Sequence, residues 1–189
     1  MTSPGRRKLS NVVAIAAILG VMGSGLLRGV LIGAIISLVQ LIRRASSPHV
    51  AVLSRIPGTR RFSDSERHPD NEPIPGVLIF RPEAPVVYFN VEHVCDVIRD
   101  RTREGATLPR CVVLDFSAAA YVDTQSAHAL AGLGDELRAA GIRVQAVEAR
   151  SNVRDRLRKE GLDDRLGTVD RFTSVADAVE AFPREAAPA

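Results

Sequence analysis

The chain reads as an α/β domain preceded by an apolar N-terminal appendage, and three observations lead there. From about residue 48, short β-branched runs alternate with stretches whose apolar residues recur at three- and four-residue spacing. That alternation suits a mixed β-sheet with helices packed against it. Within it, Val77-Leu78-Ile79-Phe80 is an apolar run, and Cys111-Val112-Val113-Leu114 reads as a buried strand. Charge divides the chain as well. Six of the 25 basic residues (Arg6, Arg7, Lys8, Arg28, Arg43 and Arg44) and none of the 22 acids fall in residues 1–47, which leaves 19 basic against 22 acidic groups, a net −3, in the remainder. The basic character of the whole chain therefore belongs to its appendage. With a mildly acidic folded part and only 4% aromatic residues, a nucleic-acid partner loses its main support.

In residues 9–42 the only charge is Arg28. Residues 9–27 form an uncharged, mostly apolar stretch long enough to approach the roughly 20 residues a bilayer crossing needs. Residues 29–42 reach only about 21 Å as a helix, short of a ~30 Å hydrocarbon core. The expectation is a helical hairpin over residues 1–47, one crossing followed by a short or half-crossing helix. Gly23-Ser24-Gly25 would loosen the junction, and Arg28 would sit at a helix end. Arg6-Arg7-Lys8 and Arg43-Arg44 would place both ends in the cytoplasm. A signal peptide explains the first run but not the second apolar segment behind it, and a buried soluble hairpin sits poorly with 47 residues free of acid. The hairpin alone is too small to line a path for a polar substrate.

Residues 48–185 are expected to form the folded domain, with 186–189 as a tail. Residues 49–53 suit a strand, and residues 56–62 and the proline-rich 65–76 read as surface loop. Residues 77–80 and 86–89, around Arg81-Pro82-Glu83-Ala84-Pro85, are spaced as a hairpin. Asn90 is placed to cap a helix running to about Arg103, with Val91, Val94, Cys95 and Ile98 on its apolar face. After the strand at 111–115 comes a helix over 124–140, with Ala127, Leu130, Ala131, Leu133, Gly134 and Leu137 inward and Gly141 as its left-handed cap. Residues 142–147 form a further strand. Ser151 or Asn152 caps a charged helix ending at Gly161, and Thr173 or Ser174 caps a last one over 175–182 that Pro183 stops.

Catalytic arrangements find no support. His49, His68, His93 and His128 show no metal-ligand spacing, and neither a phosphate-cradling G-x-x-x-x-G-K-[ST] nor a G-x-G-x-x-G follows a strand. Cys95 and Cys111 are too few for a disulfide framework and read as small buried hydrophobes in a reducing compartment. Asp115 and Asp123 could flank one cleft, though a carboxylate ending a strand or opening a helix more often serves as a cap. His128, one turn past Thr124, is close enough in a helix to touch it.

The stretch that carries family character is Cys111-Val112-Val113-Leu114-Asp115-Phe116-Ser117, a small-residue loop, and then Asp123-Thr124-Gln125-Ser126 at a helix start. It resembles the core motif of STAS domains, which include the bacterial anti-sigma-factor antagonists and the C-terminal cytoplasmic domains of SulP-type sulfate permeases. In that motif a strand ending in Asp leads to D-[ST]-x-G; Asp123-Thr124 matches its first two residues, and Ser126 stands where glycine is usual. Residues 31–59 resemble the permease junction between the last membrane helices and this domain. Gly76-Val77-Leu78-Ile79-Phe80-Arg81 and Tyr88-Phe89-Asn90 resemble the domain's opening. The departure is length. A complete permease is similar only at its C-terminal end, so a truncated permease, a split-gene half or a decayed remnant is expected, and no anion-binding residue carries over.

The resemblance implies a membrane-tethered, non-catalytic domain without cofactor or metal, on the cytoplasmic side of the (inner) cell membrane. It would regulate or help dimerise a transporter supplied by another chain or a second copy. Asp123, Thr124, Gln125 and Ser126 become the expected partner-contact and phosphorylation surface. A phosphate there adds about −1.5 to −2 charge where the helix dipole favours it. The rival expectation is a switch like the anti-sigma-factor antagonists, bound to a kinase; nucleotide binding beside residues 123–126 is a third.

Overall fold

The computed structural model describes residues 26–105 and 108–185. The chain divides between Ser46 and Ser47 into two compact units.

The first unit is described over helix α1, Leu26–Ser46, 21 residues with no acid in its first turn and Arg43 and Arg44 in its last. At 1.5 Å per residue it reaches about 31 Å, which matches a hydrocarbon core. The helix expected over residues 29–42 is thus too brief: α1 takes in Arg28, Arg43 and Arg44 at its two ends, arginine being a good helix former. Only 6% of its most apolar window is buried, and Leu27, Val30, Leu31, Ile35, Leu38 and Leu41 lie exposed. Arg28 falls in its first turn. The expected first crossing and the Gly23-Ser24-Gly25 junction lie outside the described residues.

The second unit is built on five strands: β1 (Val50–Arg55), β2 (Phe62–Asp64), β3 (Val77–Pro82), β4 (Cys111–Asp115) and β5 (Arg143–Val147). Their order in the sheet is β2-β1-β3-β4-β5. The β1 strand runs antiparallel to β2 and β3, while β3, β4 and β5 run parallel. The mixed sheet expected from the alternation is therefore present. Helices α2 (Val91–Arg103) and α3 (Thr124–Ala139) supply the crossovers between the parallel strands, and α4 (Ser151–Lys159) and α5 (Val175–Glu185) follow the last strand.

Residue parity along the strands sends alternate side chains to two cores. Phe80, Val112, Leu114, Val144 and Ala146 pack with Val94, Ile98, Leu130, Leu133, Val153 and Leu157. Ile79, Cys111, Val113 and Val147 face the other way and meet Val175, Ala178 and Val179 of α5. Every residue of β4 is buried, which explains its unbroken apolar run. Gly141 ends α3 at φ 76° as expected. Gly134 answers to contact instead of conformation: a Cβ there would lie 2.9 Å from Leu166 Cδ2 and 3.0 Å from the Arg165 carbonyl oxygen.

Five expectations change. Residues 77–80 and 86–89 do not form a hairpin. The β3 strand pairs with β1 and β4, and Val86 makes only an isolated parallel bridge to Val122. Pro82 and Pro85 withdraw the N–H groups such a ladder needs. The Asn90 side chain fastens a turn in its place, accepting from the Val87 N–H at 2.9 Å and donating to the Pro85 carbonyl at 3.1 Å. Asn90 thus braces the entry to α2 without a side-chain capping bond. Where the two stretches read as loop meet, residues 62–64 form β2, three residues too short to show periodicity. Ser151 lies inside α4, which has Arg150 at its cap position, and Asn152 donates to the Ala120 carbonyl at 2.8 Å. Helix α5 runs on past Pro183 to Glu185, because one missing N–H in a last turn does not end a ladder.

Candidate functional site

The loop between β4 and α3 is held at both ends by an aspartate. Asp115, fully buried, closes β4 by accepting a hydrogen bond from Arg81 Nε at 2.8 Å, with Nη2 of the same guanidinium also 2.8 Å away as an ion pair, and one from the Ser117 N–H at 2.8 Å. Asp123 opens α3 in extended conformation, φ −85° and ψ 171°. One of its oxygens accepts from the Ser126 N–H at 2.7 Å, the other from the Tyr88 N–H at 2.8 Å. Partial burial works against the Asp123 charge, but the Ser126 and Tyr88 donors and nearby Arg156 outweigh it and hold the carboxyl below the usual range. Asp115 lines an open cavity of about 420 Å³ with Arg60, Arg61, Arg81 and Glu148, and Asp123 is not among its walls.

Around Asp123 the sequence-predicted cluster divides. Thr124 and Gln125 are exposed and Ser126 is buried. The Ser126 hydroxyl makes no well-formed hydrogen bond and leans on the Asp123 carboxylate. A serine in the place where glycine is usual is therefore accommodated by turning inward. It offers nothing to a partner or a kinase unless the first turn of α3 opens. Thr124 is the accessible hydroxyl, and its Oγ1 accepts from Arg156 Nη1 of α4 at 3.0 Å. Arg156 also lies 3.6 Å from Glu160, which pairs with His128 at 3.1 Å. His128 thus turns to Glu160, and the cation beside Thr124 is Arg156.

Sequence reasoning also missed an aromatic rim. The Val86–Val122 bridge and the Val86 N–H to Tyr121 carbonyl bond, 3.0 Å, lay residues 86–90 beside residues 121–123. Tyr88 and Phe89, packed edge to face at 5.3 Å, and Tyr121 stay largely exposed there. These include both tyrosines of the chain. Tyr88-Phe89 ahead of a turn-forming Asn90 was the available signal, hidden by reading the pair as strand. The resulting surface joins aromatic faces, a hydroxyl and an arginine at a helix N-terminus, equipment for recognition.

Residues 68–178 match the family described as the STAS domain. The chain belongs to the STAS-domain family. The probable sulfate transporter 4.2 of Arabidopsis thaliana is 30% identical over 161 residues, 80% of this chain and 24% of that protein. A probable sulfate transporter of Mycobacterium tuberculosis strain H37Rv is 29% identical over 178 residues, 94% of this chain and 32% of that protein. The similarity thus extends beyond the STAS domain into the apolar segment ahead of it. This chain spans about a quarter to a third of the length of these relatives. In fold it is similar to murine Solute Carrier 26 family member A9, an anion transporter, with a TM-score of 0.76 at 21% identity over 94% of this chain and 29% of that one.

Proposed function

We propose that this chain is a membrane-tethered regulatory and interaction part of a sulfate-type anion transporter. Its STAS domain lies on the cytoplasmic side of the cell (inner) membrane and meets a transporter chain, or a second copy of itself, through the face around Thr124. One observation carries the reading: a 21-residue apolar helix with almost none of its surface buried leads, four residues later, into β1 of the STAS domain. Such a helix needs an apolar solvent, and its Arg43-Arg44 end suits the cytoplasmic interface. The similarity to sulfate transporters across helix and domain supports the same assignment. A kinase acting on Thr124 would find the one exposed hydroxyl of the cluster with an arginine already 3.0 Å away.

Membrane fractionation with co-purification of the tagged chain from its own cells tests this. The expected result is recovery in the carbonate-washed membrane pellet together with a polytopic membrane partner or a second, differently tagged copy. Recovery only in the soluble fraction would overturn the tethered reading.

A further inference from the structure

Three ligand-bearing side chains that sequence spacing keeps apart meet beside the antiparallel half of the sheet. His49 immediately precedes β1, Asp64 ends β2, and Glu83 immediately follows β3. One donor atom of each lies within 4.8 Å of the others. The backbone sets this up: the Glu83 N–H bonds the His49 carbonyl at 2.9 Å and the Ser65 N–H bonds the Val52 carbonyl at 2.9 Å, so three separate segments are tied to one another. Asp64 is nearly buried, and its Oδ1 is held by the Glu66 N–H at 2.9 Å. The second oxygen, Oδ2, is left to face His49 Nε2 at 3.1 Å, close to the separation of two ligands on one tetrahedral ion.

From this we infer a binding site for a divalent transition-metal ion of the Zn²⁺ class, with His49, Asp64 and Glu83 as its three protein ligands. One imidazole nitrogen with two carboxylate oxygens is a donor set such ions accept, leaving a fourth position for water. The Glu66 N–H plays the outer part, orienting the Asp64 carboxylate. Arg67 shows what the site asks for. Its guanidinium stands 3.3 Å from Asp64 Oδ2 and 3.8 Å from Glu83, a +1 charge bridging the two carboxylates that a +2 ion would bridge. Its side chain is 68% exposed, so it leaves the site at little cost. Metal and Arg67 are alternatives. Binding would clip the start of β1, four residues past the end of α1, to β2 and to the segment after β3.

The test uses the untagged full chain in detergent, stripped with chelator and dialysed against Zn²⁺, with Co²⁺ as the coloured probe. Expected are one Zn²⁺ retained per chain and a Co²⁺ visible band of tetrahedral or five-coordinate strength. His49→Gln and Glu83→Gln should each weaken Zn²⁺ at least tenfold with an unchanged circular-dichroism spectrum. Arg67→Ala should strengthen it several-fold, whereas a purely structural ion-pair cluster predicts no metal response to that change. Absence of retained Zn²⁺, or retention indifferent to both glutamine variants, removes the site. Should His49→Gln disturb the spectrum, Glu83→Gln and Arg67→Ala, both surface changes, decide by moving in opposite directions or failing to.

Discussion

Asp115 and Asp123 stand eight residues apart in one loop and look alike in the sequence, yet they serve opposite ends of the protein's economy. Asp115 is sealed at the end of β4 against Arg81, with two hydrogen bonds, an ion pair and no exposure. Asp123 satisfies two backbone N–H groups at the surface, and in doing so leaves Thr124 outward beside Arg156. The first fixes where the loop begins. The second decides which side chains face a partner. A strand-end carboxylate can be spent on stability alone, whereas a cap carboxylate at a helix N-terminus also builds a surface.

The largest effect should come from breaking the buried member. Asp115→Ala strips Arg81 of its partner and leaves the Ser117 N–H without its acceptor. Loss of one partner of a buried pair costs about 3 kcal/mol or more, and Arg81, 26% exposed, escapes part of that by reaching solvent. Chemical denaturation should report about 3 kcal/mol, and replacing both partners with apolar residues of similar size should recover most of it. A loss below about 1 kcal/mol would mean that the pair is not the anchor described above.

Next in size is Gly134→Val in α3, where added carbons would meet Leu166 and the Arg165 carbonyl at 3 Å or less. The loop carbonyl cannot turn aside as a side chain can, so overpacking of about 1–3 kcal/mol is expected in the same measurement. Gly132, two residues away, has open space at its Cβ position. Gly132→Ala should therefore be neutral or stabilising, a control within the same helix.

How much of this was legible follows the same division. Parity and helical spacing identify β3, β4 and α3 because those elements are decided by burial, and burial writes itself as unbroken or periodic apolar residues. Residues 62–64 were invisible because a three-residue edge strand owes its existence to β1 beside it. The hairpin at 77–89 failed because β3 lies between β1 and β4 with no edge left for residues 86–89, a long-range pairing that local spacing does not carry. At the site, Asp123 and Thr124 were readable from the cap pattern. The inward turn of Ser126 and the approach of Arg156, 32 residues on, were not, since no local rule links them.

Asp123→Ala should cost about 1–2 kcal/mol, the usual worth of an N-cap, with one further N–H, that of Tyr88, set loose. Its pH signature separates it from a general surface change. The folded carboxyl sits below its unfolded value of 3.8, so its contribution is whole above that value and is lost as pH falls through the folded pKa. Stability of the wild type should therefore decline more steeply than that of Asp123→Ala below about pH 4. Parallel acid limbs for the two proteins would deny the cap its charge.

The smallest expected effect on stability belongs to Thr124, and it bears most directly on function. Its hydroxyl gives up one exposed hydrogen bond on substitution, within about 0.5 kcal/mol of neutral. Thr124→Glu places a carboxylate at the positive end of α3 and within reach of Arg156, as a phosphate would, so unfolding should be unchanged or slightly harder. Partner recovery in the co-purification assay should nevertheless shift by several-fold, because the charge appears amid Tyr88, Phe89 and Tyr121. Arg156→Ala in the same background discriminates between two causes. If Arg156 draws the new charge flat against α4, removing it should enlarge the change in partner binding; if the added charge itself repels the partner, removing Arg156 should leave the change as it is. Unaltered partner recovery in all three proteins would mean that the partner does not use this face.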